Sequence, residues 1–413
     1  MVTSNFPRWP GDSTTPFILH LAQDLSQLGW DVQVLAPHAP GARVAESMGG
    51  VPVTRFRYLW PESLQTVCYQ GGALVNLRRD RRNFLKLPFL VASEWAAVMS
   101  RLLRFRPDLV HSHWLLPQGL TSGLAARTLR IPHVATVHGG DVFALNGTVM
   151  RGCKKLALML SDAVTVNSSA TSQAVTQLAS LHEKLIRIPM GASGLDCPDE
   201  ATHRDLRARH RRGDGPLLAF VGRLVEEKGV ADLLHAVAML APTLPHVTAV
   251  IVGDGPELLA LKRLATDLGI VDRIGFAGWI PAAEVPCYLR AADVFVGPSK
   301  HAADGWIEAQ GLTFIEAMLA GTPVIATACG GIIDAVRHES TGLLIRENMP
   351  NDIADAVRRL AQDPVLRKRL RENARALAGR EFTREASARA FSSLFDSVLA
   401  KRDGRLGADG LRD

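Results

Sequence analysis

Short apolar runs alternate along the whole chain with segments in which apolar residues recur every three or four positions. Runs such as Leu217–Val221 and Thr248–Val252 contain almost only apolar residues, as is typical of strands that are buried on both faces of a parallel sheet. Between such runs, residues such as Leu233, Val237 and Leu240 form the apolar stripe of a helix. The alternation predicts an α/β protein whose parallel sheets are covered by helices.

The expected strands are distributed over both halves of the chain. In the front half they span Val2–Ser4, Asp31–Ala36, Val53–Phe56, Leu109–His113, His133–Val137, Ala163–Asn167 and Leu185–Ile188. In the back half they span Leu217–Val221, Thr248–Val252, Ile274–Ala277, Val294–Gly297, Pro323–Thr327 and Gly342–Ile345. A strand usually runs about five residues, and the first of these is shorter, which leads to the hypothesis that the native chain begins upstream of Met1.

The rhythm of strands and helices breaks at residues 191–215, which contain Gly, Ser, Pro and the charged run Arg204–Arg212. We interpret this stretch as a linker between two doubly wound domains. A chain of 413 residues is long enough for two or three domains. The expected organisation is an N-terminal domain over 1–192, a second domain over 193–380, and a C-terminal helix with its tail over 381–413.

The composition narrows the class of protein. Hydrophobic residues make up 47% and charged residues 21% of the chain, which excludes a disordered chain, a collagen-like chain and a coiled coil. The most apolar stretch, Phe84–Leu103, is interrupted by Lys, Pro, Glu and Arg, so we expect no membrane-spanning helix. The five cysteines are odd in number and never spaced C-x-x-C. This excludes a disulfide scaffold and a zinc ribbon and favours a reducing, cytoplasmic location.

The positive charge lies in the front half. Residues 1–196 carry 19 Lys+Arg against 12 Asp+Glu, whereas residues 197–413 carry 28 against 29. The front half therefore attracts anions. Nucleic acid, an anionic membrane and an anionic acceptor would each explain this; nucleic acid is the least favoured, because the basic residues form no stripe interleaved with aromatic side chains.

A basic run precedes apolar residues and indicates peripheral contact with a membrane surface. The run consists of Arg78, Arg79, Arg81 and Arg82. The commoner alternative is a solvated, charged start of a helix.

The strongest motif places Glu308 and Glu316 on either side of a predicted helix start, with Gly311, Leu312 and Thr313 between them. Free backbone N–H groups at such a start bind phosphate. An ionised carboxylate accepts from two hydroxyl groups at once, so the flanking carboxylates suit sugar or ribose. The alternative is that Thr313 and Glu316 form a capping box and no more.

A second motif, Gly222-Arg223 to Lys228-Gly229, follows the strand that ends at Val221. Arg223 and Lys228 supply two cations in the turn and at the start of the following helix. Ligands of open parallel sheets bind at this carboxyl end of the strands, and two such cations suit a diphosphate. The alternative is that Arg223 pairs with Glu226 or Glu227.

A third motif, His138-Gly-Gly-Asp141, stands at another strand end. The histidine can bond to a sugar hydroxyl, and the glycines admit a ligand; a structural loop histidine is the alternative. The first loop contains Gly11, which permits the backbone to approach a ligand. The alternative is that this loop only starts a helix, with Ser13 or Thr14 as its N-cap.

Two other kinds of site are not expected. His111, His113 and His138 lack a carboxylate or cysteine at ligand spacing, which argues against a metal ion. Gly253-Asp-Gly255 lacks the third glycine of a nicotinamide-binding fingerprint.

Together these motifs resemble those of the retaining glycosyltransferases of family 4. The resemblance runs from Gly11 to about Phe395 and implies the GT-B architecture, in which two Rossmann-like domains face each other and a C-terminal helix crosses back. The motifs that carry it are the first loop at Gly11, residues 138–141, 188–191, 222–229 and 253–255, and the E-x7-E spacing over 308–316.

The resemblance implies a role for each site residue. Arg223 and Lys228 would neutralise the nucleotide diphosphate. Glu316 would bind the ribose hydroxyls, whereas Glu308 and His138 would contact the donor sugar. Further donor contacts are implied for Gly11, Asp141, Gly222, Gly278, Trp279, Ile280, Gly311, Leu312 and Thr313.

The expected activity is transfer of a hexose, with retention, from a UDP- or GDP-linked sugar to a hydroxyl of a glycan or lipid-linked glycan. The resemblance implies neither a cofactor nor a metal ion. The expected location is cytoplasmic, peripheral on the inner face of the membrane. Two alternatives stay open, namely a non-catalytic sugar-nucleotide-binding partner in a glycan-assembly complex and a nucleotide-sugar epimerase with the same fold.

Overall fold

In a computed structural model of the chain, the described residues form two compact α/β units. They are residues 1–12, 14–69, 71–193, 200–302 and 305–409. The first unit contains residues 1–191 together with the chain from 384 onward, and the second contains residues 192–383. These boundaries lie close to those expected at 192 and 380; the assignment of the first unit to the acceptor stays a prediction.

The first unit contains a three-stranded sheet in the order β1-β3-β2 and a four-stranded sheet in the order β4-β5-β6-β7. Val2 forms isolated bridges to Leu35 and Ser112 and so links the two sheets. The strands are β1 (Val34–Pro37), β2 (Ala45–Met48), β3 (Val51–Phe56), β4 (Val110–His113), β5 (His133–Val137), β6 (Ala163–Val166) and β7 (Leu185–Arg187). The helices are α1 (Pro16–Gln27), α2 (Ala73–Arg79), α3 (Leu87–Phe105), α4 (Leu120–Thr128), α5 (Gly140–Phe143), α6 (Thr148–Leu160) and α7 (Ser169–Leu178).

The second unit has one six-stranded sheet, in the order β10-β9-β8-β11-β12-β13, and every pair in it is parallel. Its strands are β8 (Leu217–Val221), β9 (Thr248–Val252), β10 (Ile274–Gly278), β11 (Val294–Gly297), β12 (Val324–Thr327) and β13 (Leu343–Ile345). Its helices are α8 (Glu200–His210), α9 (Val230–Leu240), α10 (Leu258–Asp267), α11 (Val285–Ala291), α12 (Leu312–Ala320), α13 (Ile332–Ala335), α14 (Pro350–Gln362) and α15 (Pro364–Glu381). The strand order reverses between β8 and β11, which makes their carboxyl ends the switch point where such sheets bind ligands.

The chain ends in α16 (Arg384–Asp409), which packs within the first unit. Arg384 Nε lies 2.9 Å from the Asp24 carboxylate, and Phe395 packs edge-on against Trp30 at 5.4 Å between ring centroids. The last helix therefore belongs to the same unit as the first strands.

The linker expected over 191–215 was wrong in its second half, which forms α8. Leu206 is buried against the sheet, and Arg207 forms an ion pair with Asp293 at 2.7 Å. Arg207 also donates to Ala291 O, and the His210 ring packs against Tyr288. The charged run around these residues conceals the helix from an analysis of apolar periodicity. Residues 194–199, also within that expectation, lie outside the described residues.

β2 was absent from the expected strands. It pairs antiparallel with β3, and its sequence Ala-Glu-Ser-Met is mostly exposed. A short polar strand at the edge of a sheet carries no apolar run for periodicity to detect.

The apolar stretch over 84–103 forms most of α3 and buries one stripe that includes Leu90, Val98 and Leu102. Throughout the described part of the chain, no helix combines the length and the apolar character needed to span a bilayer. Of the described cysteines, Cys68, Cys153 and Cys329 are free thiols, whereas Cys287 is disulfide-bonded.

Candidate functional site

The loop after β8 is held against the loop after β9 by glycines. Gly222 N donates to Val252 O at 3.0 Å. A Cβ on Gly253, whose φ is +133°, would lie 1.9 Å from Gly222 O, and a Cβ on Gly255 would lie 2.3 Å from Leu224 O. The Gly-Asp-Gly motif therefore shapes the loop that carries Arg223, which explains its glycines without a nicotinamide.

Arg223 is exposed, and in the described part of the chain it forms no ion pair. The alternative that it pairs with Glu226 or Glu227 was wrong. Lys300 approaches Glu226 instead, at 3.7 Å, and its backbone N–H donates to Glu227 O. The Arg223 guanidinium is thus free to meet an anionic ligand.

Lys228 forms an ion pair with Glu308, and only 19% and 12% of the two side chains are exposed. The Lys228 ammonium also lies 5.3 Å from the centroid of the Trp306 ring. The sequence analysis predicts that Lys228 binds phosphate and that Glu308 binds sugar. In the structure the two side chains bind each other. A bound diphosphate would have to compete with Glu308 for Lys228.

The Glu308 backbone rests on two glycines that follow β12. Glu308 O accepts from Gly331 N at 2.8 Å. A Cβ on Gly330, whose φ is +57°, would lie 2.1 Å from Glu308 O. The sequence analysis missed these positions; the glycine pair after a predicted strand was the available signal.

Gly311 is the N-cap of α12, with φ +77° and no capping side chain. A Cβ at Gly311 would lie 2.6 Å from Phe314 Cδ2, which explains the glycine. Thr313 lies inside the helix, so the capping-box alternative was wrong. Within the described residues, the backbone N–H groups of Leu312 and Thr313 have no partner in this first turn. Such amides, at the positive end of the helix dipole, suit a phosphate or sugar oxygen.

Glu316 lies one turn further along α12 and is half-buried. Burial raises the pKa of its carboxyl group to about 7. Among the described residues the carboxyl group has no hydrogen-bond partner. A buried carboxylate without donors is costly, so hydroxyl groups of a ligand would supply what the chain does not.

The loop at Gly278 joins the same edge of the sheet. Gly278 O accepts from Gly253 N at 2.8 Å, which connects this loop to the one after β9. The Trp279 side chain is 59% exposed, whereas Ile280 packs against the core. An exposed indole at this edge can stack on a flat ligand such as a base.

In the first unit, His138 follows β5. Its Nε2 lies 3.0 Å from His113 Nδ1, and its ring packs against Trp114 at 4.8 Å and against Phe17 at 5.3 Å between centroids. Burial lowers the pKa of His138 to about 3, so the ring is neutral. These contacts hold the ring through one nitrogen and through packing against Trp114 and Phe17.

Asp141 orders the loop around His138. Its carboxylate accepts from the backbone N–H groups of Leu115 at 2.9 Å, His138 at 3.2 Å and Gly139 at 3.0 Å. Both oxygens are occupied, so the direct donor contact expected for Asp141 is not favoured by this geometry. The residue acts by fixing the position of His138.

Gly11 has φ +84°, and a Cβ there would meet open space. The next residue, Asp12, accepts from Arg8 Nε at 2.7 Å and from Thr14 Oγ1 at 3.0 Å. The N-cap position of α1 is occupied by Thr15, without a capping side-chain bond, so Thr14 is not the cap. Ser13 lies outside the described residues.

The predicted site residues thus form two groups. Those of the second unit gather at the carboxyl edge of its sheet, in the loops after β8, β10 and β11 and at the start of α12. Gly11, His138 and Asp141 belong to the first unit. Sequence reasoning missed His113, Gly330 and Gly331.

Comparisons with known proteins match both units. The family model described as Glycosyl transferases group 1 matches residues 203–377, and that for Glycosyltransferase Family 4 matches residues 15–193. The chain is 30% identical over 366 residues to 2-deoxystreptamine glucosyltransferase of Streptomyces kanamyceticus, covering 84% of this chain and 89% of that protein.

Two further similarities extend this finding. A GDP-mannose-dependent alpha-(1-6)-phosphatidylinositol monomannoside mannosyltransferase of Mycobacterium tuberculosis is 32% identical over 273 residues, which cover 65% of this chain and 67% of that protein. The structure of sucrose-phosphate synthase (tll1590) from Thermosynechococcus elongatus superposes with a TM-score of 0.73 at 25% identity, covering 93% of each chain.

Proposed function

The chain is a GT-B glycosyltransferase of the group 1 family, and from that premise we propose which reaction it performs. It transfers a hexose from a UDP- or GDP-linked sugar to a hydroxyl group of a glycan or lipid-linked glycan, with retention at the anomeric carbon. The observation that supports this most is the edge of the sheet in the second unit. There Arg223 and the Glu316 carboxyl group, both without a partner among the described residues, occur together with the first amides of α12.

In this proposal the diphosphate binds to the side-chain cations Arg223 and Lys228. Arg223 meets it without giving up an existing ion pair. Lys228 exchanges its contact with Glu308 for one with the diphosphate, which frees the Glu308 carboxylate to accept from the sugar hydroxyls. One set of contacts therefore replaces another when the donor binds.

The same cations act on the reaction. As the bond between sugar and diphosphate breaks, negative charge grows on the departing phosphate, and cations already in place stabilise it. The two side-chain charges in contact with the diphosphate can perform this role, and on this basis we propose that the transfer needs no metal ion. Glu316 holds the ribose hydroxyls, and His138 contacts the donor sugar.

A panel of UDP- and GDP-sugars tests the donor site through the thermal unfolding of the full chain, because a ligand of the folded state raises its stability. We expect a shift with one nucleotide that disappears in Arg223→Ala and in Glu316→Gln. The matched control is Arg263→Ala, an exposed helical arginine of the same unit, which should keep the full shift. Absence of a shift with every donor would refute the proposed site.

Turnover separates the proposal from its alternatives. Release of nucleoside diphosphate that depends on an added acceptor, with an α-linked product from an α-linked donor, is the expected result. Donor binding without release for any acceptor would favour a non-catalytic partner protein. Conversion of one sugar nucleotide into another would favour an epimerase.

We also propose that the acceptor is reached at a membrane surface. Phe84 and Leu85, just before α3, and Phe89, in its first turn, are 51%, 76% and 56% exposed. They follow Arg78, Arg79, Arg81 and Arg82, all of which are exposed. Apolar side chains beside a basic cluster suit anionic lipid headgroups. The mannosyltransferase similar to this chain acts, by its name, on a phosphatidylinositol mannoside.

Vesicle flotation tests this contact. The protein should float with vesicles that contain phosphatidylglycerol and much less with pure phosphatidylcholine. Leu85→Ser should reduce flotation, whereas Val365→Ser should not, although both native side chains are 76% exposed. Equal binding to both vesicle types would contradict the electrostatic part, and equal loss in both variants would contradict the assignment of the contact to the segment around Leu85.

A further inference from the structure

Three neighbouring strands of the second unit end in a compact group of metal-ligating side chains. His301 follows β11, Cys329 follows β12 and Glu347 follows β13, and these strands are adjacent in the sheet. Each side chain offers one ligand atom, and the three atoms lie within 4.8 Å of one another. The fold therefore assembles a nitrogen, a sulfur and an oxygen donor from positions far apart in sequence.

The contacts within this group are specific. His301 Nδ1 lies 2.7 Å from one oxygen of Glu347, and the His301 backbone N–H donates to the other at 2.8 Å. Cys329 Sγ lies 3.9 Å from His301 Nδ1. A surface ion pair would explain His301 and Glu347 by themselves, but it leaves unexplained why a buried thiol points at both.

We propose that His301, Cys329 and Glu347 bind one Zn²⁺ ion, with water as the fourth ligand. Zinc takes this mixture of imidazole, thiolate and carboxylate in tetrahedral sites, and three protein ligands leave one position open. The sulfur favours zinc over magnesium or calcium, which prefer oxygen ligands alone.

The spacing of the donors is close to what zinc requires. Zinc–ligand bonds of about 2.0–2.3 Å place neighbouring donors of a tetrahedron about 3.3–3.8 Å apart. The imidazole and the carboxylate, now hydrogen-bonded at 2.7 Å, would separate slightly to admit the ion, while the sulfur lies 3.9 Å from the imidazole nitrogen and within 4.8 Å of the carboxylate oxygen.

Binding also changes the protonation of the thiol. Zinc binds the thiolate form of Cys329, so the thiol proton passes to the solvent for each ion bound. No other bond forms or breaks.

The bound ion would restrain the segment that supports the Glu308 backbone. Gly331, two residues after Cys329, donates its N–H to Glu308 O at 2.8 Å. Zinc at Cys329 would stiffen the segment on which the Glu308 backbone rests. The metal site itself is independent of the proposed function; only this effect on Glu308 rests on it.

Cobalt(II) titration of the metal-free full chain tests the site without any sugar nucleotide, because cobalt reports thiolate coordination through a near-ultraviolet charge-transfer band. We expect one equivalent to produce this band together with intense visible bands of tetrahedral cobalt. Cys329→Ser should abolish the near-ultraviolet band. Cys153→Ser, which removes a free thiol of the other unit, should leave it unchanged.

Zinc affinity, measured by calorimetry, completes the test. His301→Ala, at a side chain that is 58% exposed and so tolerant of substitution, and Glu347→Gln should each weaken zinc binding at least about tenfold. Absence of the cobalt band, its persistence in Cys329→Ser, or unchanged zinc affinity in His301→Ala and Glu347→Gln would overturn the proposal. A protein that binds zinc yet shows no donor-induced stabilisation would refute the proposed function and leave the metal site standing.

Discussion

The Nδ1 of His113 lies 3.0 Å from the Nε2 of His138, and this contact determines which nitrogen of His138 is left for a ligand. The Nε2 of His113 is buried without a partner in the described part of the chain. A buried N–H without an acceptor is rarer and costlier than a buried lone pair, so the His113 proton sits on Nδ1 and is donated to His138. His138 therefore carries its own proton on Nδ1, where it can donate to a sugar oxygen.

This tautomer can be read directly by ¹⁵N NMR of histidine-labelled protein. We expect His138 to be protonated on Nδ1 and His111 on Nε2, because His111 Nδ1 is the unpartnered nitrogen and its Nε2 lies 2.7 Å from Thr136 Oγ1. The two histidines serve as internal references for each other. A His138 signal typical of the Nε2–H form would contradict the assignment.

A positioning role for His113 follows. His113→Leu removes the donor and should lower kcat by about 10–100-fold with little change in the donor KM, since the His138 ring, which we propose contacts the sugar, is then free to change tautomer and orientation. His113→Asn places an amide N–H near the position of Nδ1 and should restore most of the activity. Equal losses in both variants would indicate a packing role instead.

The Lys228–Glu308 ion pair predicts strong coupling between the two residues. Both side chains are largely buried, so removing either leaves a charge without its partner. Lys228→Met and Glu308→Gln should each destabilise the free protein, and the double variant should lose less than the sum, with a coupling of about 0.5–3 kcal/mol. Urea unfolding of the four proteins measures this. Additive losses would show that the pair contributes nothing to stability.

Much of the fold is evident in the sequence because buried parallel strands are continuous apolar runs. Strands such as Leu217–Val221 and Val294–Gly297 occur as predicted. The glycine-bearing loops were also correctly placed at strand ends. These features are local, and local patterns suffice to predict them.

The pairings within the site are not local. Lys228 and Glu308 are 80 residues apart, and His301 and Glu347 are 46 apart. No spacing in the sequence indicates which cation meets which carboxylate, since the order of strands in the sheet decides it. The expectation of no metal ion relied on ligand spacing along the chain, and for the same reason it could not detect the group at His301.

The raised pKa of Glu316 predicts a dependence of stability on pH. Burial raises the pKa of this carboxyl group from 4.5 to about 7 in the folded state. Between these two pKa values the folded protein holds a proton that the unfolded chain releases. The contribution of this proton to the free energy of unfolding is fully present below pH 4.5 and is lost as the pH rises through 7. Glu316→Gln removes the cost of ionising this carboxyl group. The free energy of unfolding of the variant, relative to that of the native protein, should therefore be about 1–2 kcal/mol higher at pH 8 than at pH 4, allowing for partial exposure.

Chemical unfolding of the native protein and Glu316→Gln across this pH range measures the effect. Glu284→Gln, at an exposed carboxylate of the same unit, is the control and should leave the pH profile unchanged. Donor binding should counteract the difference, because hydroxyl groups that donate to Glu316 favour its ionised form. Parallel pH profiles for the native protein and Glu316→Gln would show that Glu316 titrates normally.

A comparison of Gly253 with Gly269 distinguishes the effect of a steric clash within the loop from the cost of placing a side chain at a positive φ. Both have positive φ, +133° and +66°, but a Cβ at Gly253 would lie 1.9 Å from Gly222 O, whereas a Cβ at Gly269 would meet open space. Gly269→Ala should cost about 1 kcal/mol in stability and leave donor binding intact. Gly253→Ala must move the loop that carries Arg223, so it should abolish donor-induced stabilisation even where the protein stays folded. Nucleotide-dependent thermal shifts of the two variants decide this: equal shifts would mean that the position of the Arg223 loop does not govern donor binding.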